Sequence, residues 1–570
     1  MSETFLTHFI KLLEGCKTEK IVELFAAEKS TTQDALNVIV RITSDYLTDS
    51  NSRSDLFECC KAVLNNIAET CDPIETTLEF LQHMECLDND VKFCALLGSL
   101  GTCIIRGKHT TSIVEWSVST IKSYVEDLPG EVEQDKVSRR IINVLERITS
   151  FLEPLAEEAA KMNFEDACLF GDYFLSLLIT LCGRPFCYLS KSIVETVTYK
   201  KLLEKIVTLA VSFTGDILYF LNIVSNRCRN IVGDRSYQDG NTEDCIRGML
   251  FELSDNVSDL AYANFYYHVI TEEAFWKNAP QVYRPRYLLE TCSYLFKILL
   301  GKKQEILVSN GLVFMENVVK RIRPCSVPLY ALELKIYEDL FQLIINVMVY
   351  RNIDTDRKKA VRIFQEYIGI FNMEARYSVI SHLYDTVSEH SGVLSLITGM
   401  FKASIVECLD SAPRNPHFLG RNLQLMLRKI CNLPHGSLSD LVEISDEVIT
   451  ALNLLRFLLI RDKLNETGVW NMRDTIRSGY LKPLREGIDL CKTHWKVKAM
   501  DLERQRKNDD DDMEVTLTVG GEQLPVMPVA DKILFCDQAI NGLDMMESIL
   551  VRVNECMDGI EQARANVLSE

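Results

Sequence analysis

The sequence predicts an all-α protein, a HEAT- or armadillo-like helical repeat solenoid with a small β-hairpin insert near the C-terminus. Three observations carry this prediction. Apolar residues recur at helical spacing along the chain, the segments so marked are divided by short breaks, and strand-like alternation is confined to one stretch near residue 515. At 570 residues and 65.1 kDa the chain exceeds what one ordinary domain needs, so it must divide or stack repeats.

The helical spacing is present from the first residues, where Leu6, Phe9 and Leu13 share a face. It recurs at Leu334, Tyr337, Phe341, Ile344 and Met348, and again at Val448, Leu452, Leu455 and Leu459. Cys71-Asp72-Pro73, Gly183-Arg184-Pro185 and Asn432-Leu433-Pro434 supply the breaks, each suited to ending one helix and starting the next. Tightly joined helices over hundreds of residues fit stacked helical pairs, each burying one face on its neighbour. A strict sequence period is absent, which favours loose repeats of about 40 to 47 residues over arrays with a fixed signature. One large helical bundle is the rival architecture.

Two stretches break the helical rule. Gly233 to Thr242 carries two glycines and a cluster of polar side chains, so it reads as a loop separating N-terminal repeats (1–235) from central ones (243–400). Residues 401–570 then form a C-terminal HEAT-like partner-binding region. Within it, the charge run Asp509 to Asp512 reads as a solvated loop, and Val515 to Val519, Gly520-Gly521 and Glu522 to Pro525 read as the hairpin. The last helix is expected from about Asp531 to Met557.

Composition excludes several function classes. Hydrophobic residues make up 47% and charged residues 25% of the chain, values of a globular protein. The 62 basic and 81 acidic residues leave a net charge of −19, which argues against general nucleic-acid binding while leaving room for a local basic patch. Nineteen cysteines, an odd number, include Cys94, Cys103 and Cys182 in apolar helical runs and the adjacent Cys59 and Cys60. They read as reduced thiols of a cytoplasmic protein. The N-terminus has no secretory-signal pattern, and the longest uncharged apolar run, Phe93 to Ile105, is 13 residues, so no membrane span is expected. Asn465-Glu466-Thr467 has the form of a glycosylation acceptor but lacks a route to the secretory pathway.

No catalytic constellation is found. Gly101 to His109 resembles a phosphate loop but has five residues between its glycines and His after Lys, and its apolar middle reads as the end of a buried helix. The nine histidines are scattered and no Cys-x-x-Cys pair occurs; Cys182 and Cys187 flank a turn. Neither enzyme activity, cofactor nor metal is expected.

The charge distribution is the positive signal. Between Ala451 and Asn508 there are 13 Lys and Arg against 7 Asp and Glu, on an otherwise acidic chain. Leu481-Lys482-Pro483-Leu484 reads as a helix start. In the helix that follows, Leu484, Ile488, Cys491 and Trp495 form an apolar stripe, while Arg485, Asp489, Lys492 and Lys496 form a second, charged one. The charged stripe is either a solvated face or a docking surface whose charge fixes a partner's register. Trp495 is assigned to the core by its stripe.

Ala451 to Phe457, Thr467 to Trp470, Leu481 to Leu484 and Gly521 to Pro528 occur in this order and spacing in the glomulin family, which the chain resembles. His390 to Val393 extends the likeness upstream, with echoes at Arg357 to Lys359, Gly311-Leu312 and Cys71 to Pro73. The resemblance implies a non-catalytic inhibitor that binds the RING-box subunit of cullin-RING ubiquitin ligases and masks the docking surface for the ubiquitin-conjugating enzyme. It also implies FK506-binding immunophilins as partners. A specific interface of about 1,600 Å² takes in more than one helix, so the expected contact residues are Arg421, Trp470, Arg485, Asp489, Lys492 and Lys496. The alternative is a general HEAT-repeat scaffold of the transport or phosphatase type, holding its ligand in a concave groove.

Overall fold

The computed structural model describes residues 2–47, 54–85, 89–107, 110–128, 134–214, 217–218, 221, 257–277, 283–411, 415–508, 518–519, 522–523 and 528–569. Helices dominate throughout. The chain divides into two compact units, one of Met1–Ile322 with Leu334–Phe364 and one of Arg323–Glu333 with Gln365–Glu570.

In the first unit, antiparallel helical pairs stack in two rows. One row runs through Leu36–Asp45, Pro73–Met84, Thr111–Asp127 and Phe164–Leu181. The other runs through Ser54–Thr70, Asp90–Arg106, Gln134–Ala159 and Val197–Thr214. Each helix packs on the next member of its own row as well as on a sequence neighbour across the pair. This is the contact pattern of a helical repeat, in which every unit borrows its core from its neighbours. The fold is all-α, built by stacking.

The breaks seen in the sequence work as caps. The Asp72 carboxylate accepts hydrogen bonds from Ile74 N and Glu75 N, both at 3.0 Å, while Pro73 occupies the first helical position, where its missing N–H is harmless. The described part of the Gly101 to His109 stretch, Gly101 to Gly107, is a helix end, as expected: Gly101 lies against the Phe151 ring and Gly107 caps Asp90–Arg106. Phe9 and Leu13 are buried, as are Tyr337, Phe341 and Ile344. Leu334 departs from its stripe and is exposed, because it precedes the helix that starts at Lys335.

The second unit is held at its start by a parallel bridge between Val327 and Phe371, with Val327 N donating to Ile370 O at 3.0 Å and Asn372 N to Val327 O at 2.8 Å. Ser391–Asp410 then packs on Ser445–Arg461, which packs on Val529–Ser569, which packs in turn on Lys482–Asn508. Val448, Leu452, Leu455 and Leu459 are all buried in this stack, each contributing about 2 kcal/mol of apolar transfer. The last helix is longer than the expected Asp531 to Met557.

The expected hairpin insert is not supported. Among the described residues, strand pairing amounts to Thr518↔Gln523 and Val519↔Glu522, two residues a side. Pairing this short has no face to bury and no independent stability. The rest of that stretch, the Asp509 to Asp512 run and the Gly233 to Thr242 loop lie outside the described residues.

Among the described residues, two helices, Asp166–Tyr188 and Ser391–Asp410, are apolar and long enough to cross a membrane, although no uncharged run reaches that length. Of the apolar windows, 78% and 44% are buried in the protein, which marks the first as a core helix.

Candidate partner-binding surface

The α-helix carrying the charged stripe begins where expected, at Lys482 with Pro483 in its first turn, but a helical run leads into it. A short α-helical turn, Arg473–Ile476, runs into a π-helical stretch, Arg477–Leu481, and then into Lys482–Asn508 without a break. Pro483 therefore lies inside a continuous helical run. Proline has no N–H to give and its ring crowds the carbonyl four residues back, and the wider π turn before it accommodates both effects. Arg477 pairs with Asp558 on the last helix, tying this turn down.

Packing then sorts the side chains of Lys482–Asn508 by helical phase. Leu484 and Ile488 are fully buried, Cys491 and Trp495 partly so. The Trp495 ring meets Phe535 edge-on at 5.5 Å and carries the Lys498 ammonium 4.5 Å above it. Trp495 is thus at the margin of the core, where the helix pair opens.

The charged stripe does not act as one set. Arg485, Asp489 and Lys496 are exposed, and none has an ion-pair partner among the described residues. Lys492 is only 13% exposed and lies 2.5 Å from both Asp544 and Glu547 of the last helix. Burial by itself would lower its pKa, but the hydrogen bonds to the two carboxylates outweigh it and raise the value. Lys492 fastens two helices together, so the expectation that it faces a partner is corrected.

Arg421 and Trp470 come together on a neighbouring feature. The buried Asp462 carboxylate accepts from Glu466 N at 2.7 Å, from Thr467 N at 2.8 Å and from the Thr467 hydroxyl. Asn465 Oδ1 accepts from Trp470 N at 3.0 Å. Gly468, at φ 78°, completes the turn in the left-handed region, and Gly420 N donates to Thr467 O at 3.0 Å, fixing the exposed Arg421 beside it. The Asn465-Glu466-Thr467 sequence is therefore a turn motif whose Asn465 and Thr467 side chains are used internally. Trp470 itself is half-buried.

One component of this surface has no signature in the charge pattern. Leu490, Val497 and Met500 are about half exposed, at 53%, 48% and 49%, and follow one another at helical spacing beside Arg485, Asp489 and Lys496. A surface helix with a third stripe that is apolar and solvent-facing is the composition of an interface, an apolar centre beside charged positions. The signal in the sequence is the spacing of 490, 497 and 500, visible once the core stripe has been assigned elsewhere.

No group of three or more His, Cys, Asp or Glu side chains among the described residues is arranged to hold a metal ion. The described cysteines are free thiols. Burial pushes Cys94 up to about 11 and Cys60, Cys103 and Cys431 up to about 12, which suppresses the thiolate a nucleophile needs.

Comparisons with known proteins agree with the resemblance. Human glomulin is 31% identical over 309 residues and mouse glomulin 30% over 312, in each case 54% of this chain. The chain spans about half the length of these curated relatives, 50% of the human and 51% of the mouse protein. Among solved structures, the chain of "Crystal structure of Kap121p bound to Pho4p" aligns over 99% of this chain and 60% of its own at 10% identity, with a TM-score of 0.21, too low to bear on architecture. The model of the family described as "Uncharacterised protein family, YAP/Alf4/glomulin" matches residues 28–534, and the chain belongs to that family.

Proposed function

We propose that the chain is a non-catalytic regulator of cullin-RING ubiquitin ligases, which binds the RING-box subunit in the cytoplasm and masks the surface where the ubiquitin-conjugating enzyme docks. Membership of the glomulin-containing family supports this reading. The observation that carries it is the helix Lys482–Asn508, whose exposed Arg485, Asp489 and Lys496 flank exposed Leu490, Val497 and Met500. Competition for one surface requires only overlap and affinity, so no reacting side chain is needed. Desolvated apolar contacts supply affinity, and the flanking charges supply orientation and rate of encounter.

The test is reconstituted ubiquitin transfer by a cullin-RING ligase with this protein titrated in. Inhibition relieved by excess conjugating enzyme is the expected outcome, and full transfer at saturating protein overturns the proposal. The paired reversal Arg485→Glu with Lys496→Glu is expected to weaken inhibition at least about tenfold and to reduce its salt sensitivity. Unchanged inhibition would return the stripe to a plain solvated face.

A further inference from the structure

The first unit holds a basic groove on an acidic protein. It has a volume of about 1190 Å³ and is lined by Ser54–Thr70, Asp90–Arg106, Gln134–Ala159 and Val197–Thr214, the four consecutive helices of one row. Seven cationic side chains face three anionic ones there, against a chain-wide net charge of −19. Such a reversal of sign within one concavity focuses the local potential onto anions.

Four of the seven cations, Lys136 among them, are already engaged. Arg140 lies 2.6 Å from Asp90, Lys205 lies 2.9 Å from Glu153, and Lys61 lies 3.4 Å from Glu58. Arg139, Arg147 and Lys201 are exposed and have no carboxylate partner among the described residues. Arg139, Asn143 and Arg147 recur every four residues on Gln134–Ala159, so two guanidinium groups bracket an exposed carboxamide along one edge of the helix. Carboxamides pair in both senses with an extended peptide backbone, donating to its carbonyls and accepting from its N–H groups.

We propose that this groove binds an extended acidic polypeptide segment, with Arg139, Arg147 and Lys201 pairing its carboxylates and Asn143 its backbone. Four helices about 10 Å apart span roughly 30 Å, which an extended chain covers in about nine or ten residues. A nucleic-acid strand over the same span brings about nine phosphates, one every 3.4 Å or so along each strand. Three uncompensated cations beside fixed carboxylates match a few spaced side chains and not that charge density. The groove lies in a different unit from the Lys482–Asn508 surface, so the inference is independent of the RING-box reading.

The experiment is fluorescence anisotropy of the full chain with a labelled peptide of about ten residues in which Glu alternates with Ser, the span set by the helix spacing. Its Gln-for-Glu counterpart and a labelled oligothymidylate of equal length serve as competing probes. The acidic peptide is expected to bind, the Gln peptide at least about tenfold more weakly, and binding to collapse between about 0.1 M and about 1 M salt as the Debye length falls from about 10 Å to about 3 Å. Arg139→Gln, Arg147→Gln and Lys201→Gln together are expected to weaken it at least about tenfold with an unchanged melting temperature, while Arg139→Lys with Arg147→Lys retains most of it, since both cations carry the charge that pairs a carboxylate. Equal binding of the Gln peptide, tighter binding of the oligothymidylate, or no binding of the acidic peptide at low salt would each overturn the proposal.

Discussion

Lys492 and its stripe companions show how much one helical increment decides. On a helix of 3.6 residues per turn, Lys492 is the member of its stripe closest in phase to Leu484 and Ile488, so packing draws it inward onto Asp544 and Glu547. Lys492→Ala removes the cation shared by two partly exposed carboxylates and is expected to lower stability by about 1 kcal/mol. Arg485→Ala and Lys496→Ala, on exposed positions, should each stay within about 0.5 kcal/mol. Urea denaturation of the three variants separates the roles, and equal effects would refute the assignment. Because the folded-state pKa of Lys492 is raised, its stabilisation is fully present below the unfolded lysine value and is lost as pH rises through the folded one, so the deficit of Lys492→Ala should be flat across neutral pH.

Elements were legible in the sequence where one local rule governed them. Asp72-Pro73 announced a helix start, and the spacing of Val448, Leu452, Leu455 and Leu459 announced a buried face; both depend on residues a few positions apart. The π turn before Pro483 was not legible, since its cause is a compromise between the proline and a chain entering from Arg473. The turn at 462–470 was not legible in Asn465-Glu466-Thr467, because its organising group, Asp462, acts from outside those three residues. Asp462→Ala removes the acceptor for the buried Thr467 N–H and hydroxyl and the part-buried Glu466 N–H, and is expected to cost about 2 kcal/mol. Hydrogen exchange should quicken locally at Glu466 and Thr467, and an unperturbed exchange pattern would contradict the role given to this carboxylate.

At the scale of the whole molecule, the position of a cut matters. Residue 401 falls inside the helix Ser391–Asp410, and Arg376 binds Glu407 at 2.8 Å from upstream of that point. A fragment of residues 401–570 therefore loses half of that helix and the buried guanidinium that pairs with Glu407, and is expected to melt without a cooperative transition in calorimetry. A sharp transition near that of the full chain would show the C-terminal region to be self-sufficient.

The sequence by itself determined the all-α class, the helical faces, the absence of familiar catalytic motifs and the family likeness, because periodicity, capping and motif order are carried by neighbours along the chain. The candidate surface was legible as a charged segment, and phase alone placed Arg485, Asp489 and Lys496 on one exposed stripe. Only the tertiary structure decided that Lys492 belongs to a helix pair, that Leu490, Val497 and Met500 stay in solvent, and that cations from three helices converge on one groove. Each of those depends on which helix stands opposite, and that is fixed by packing between segments distant in sequence.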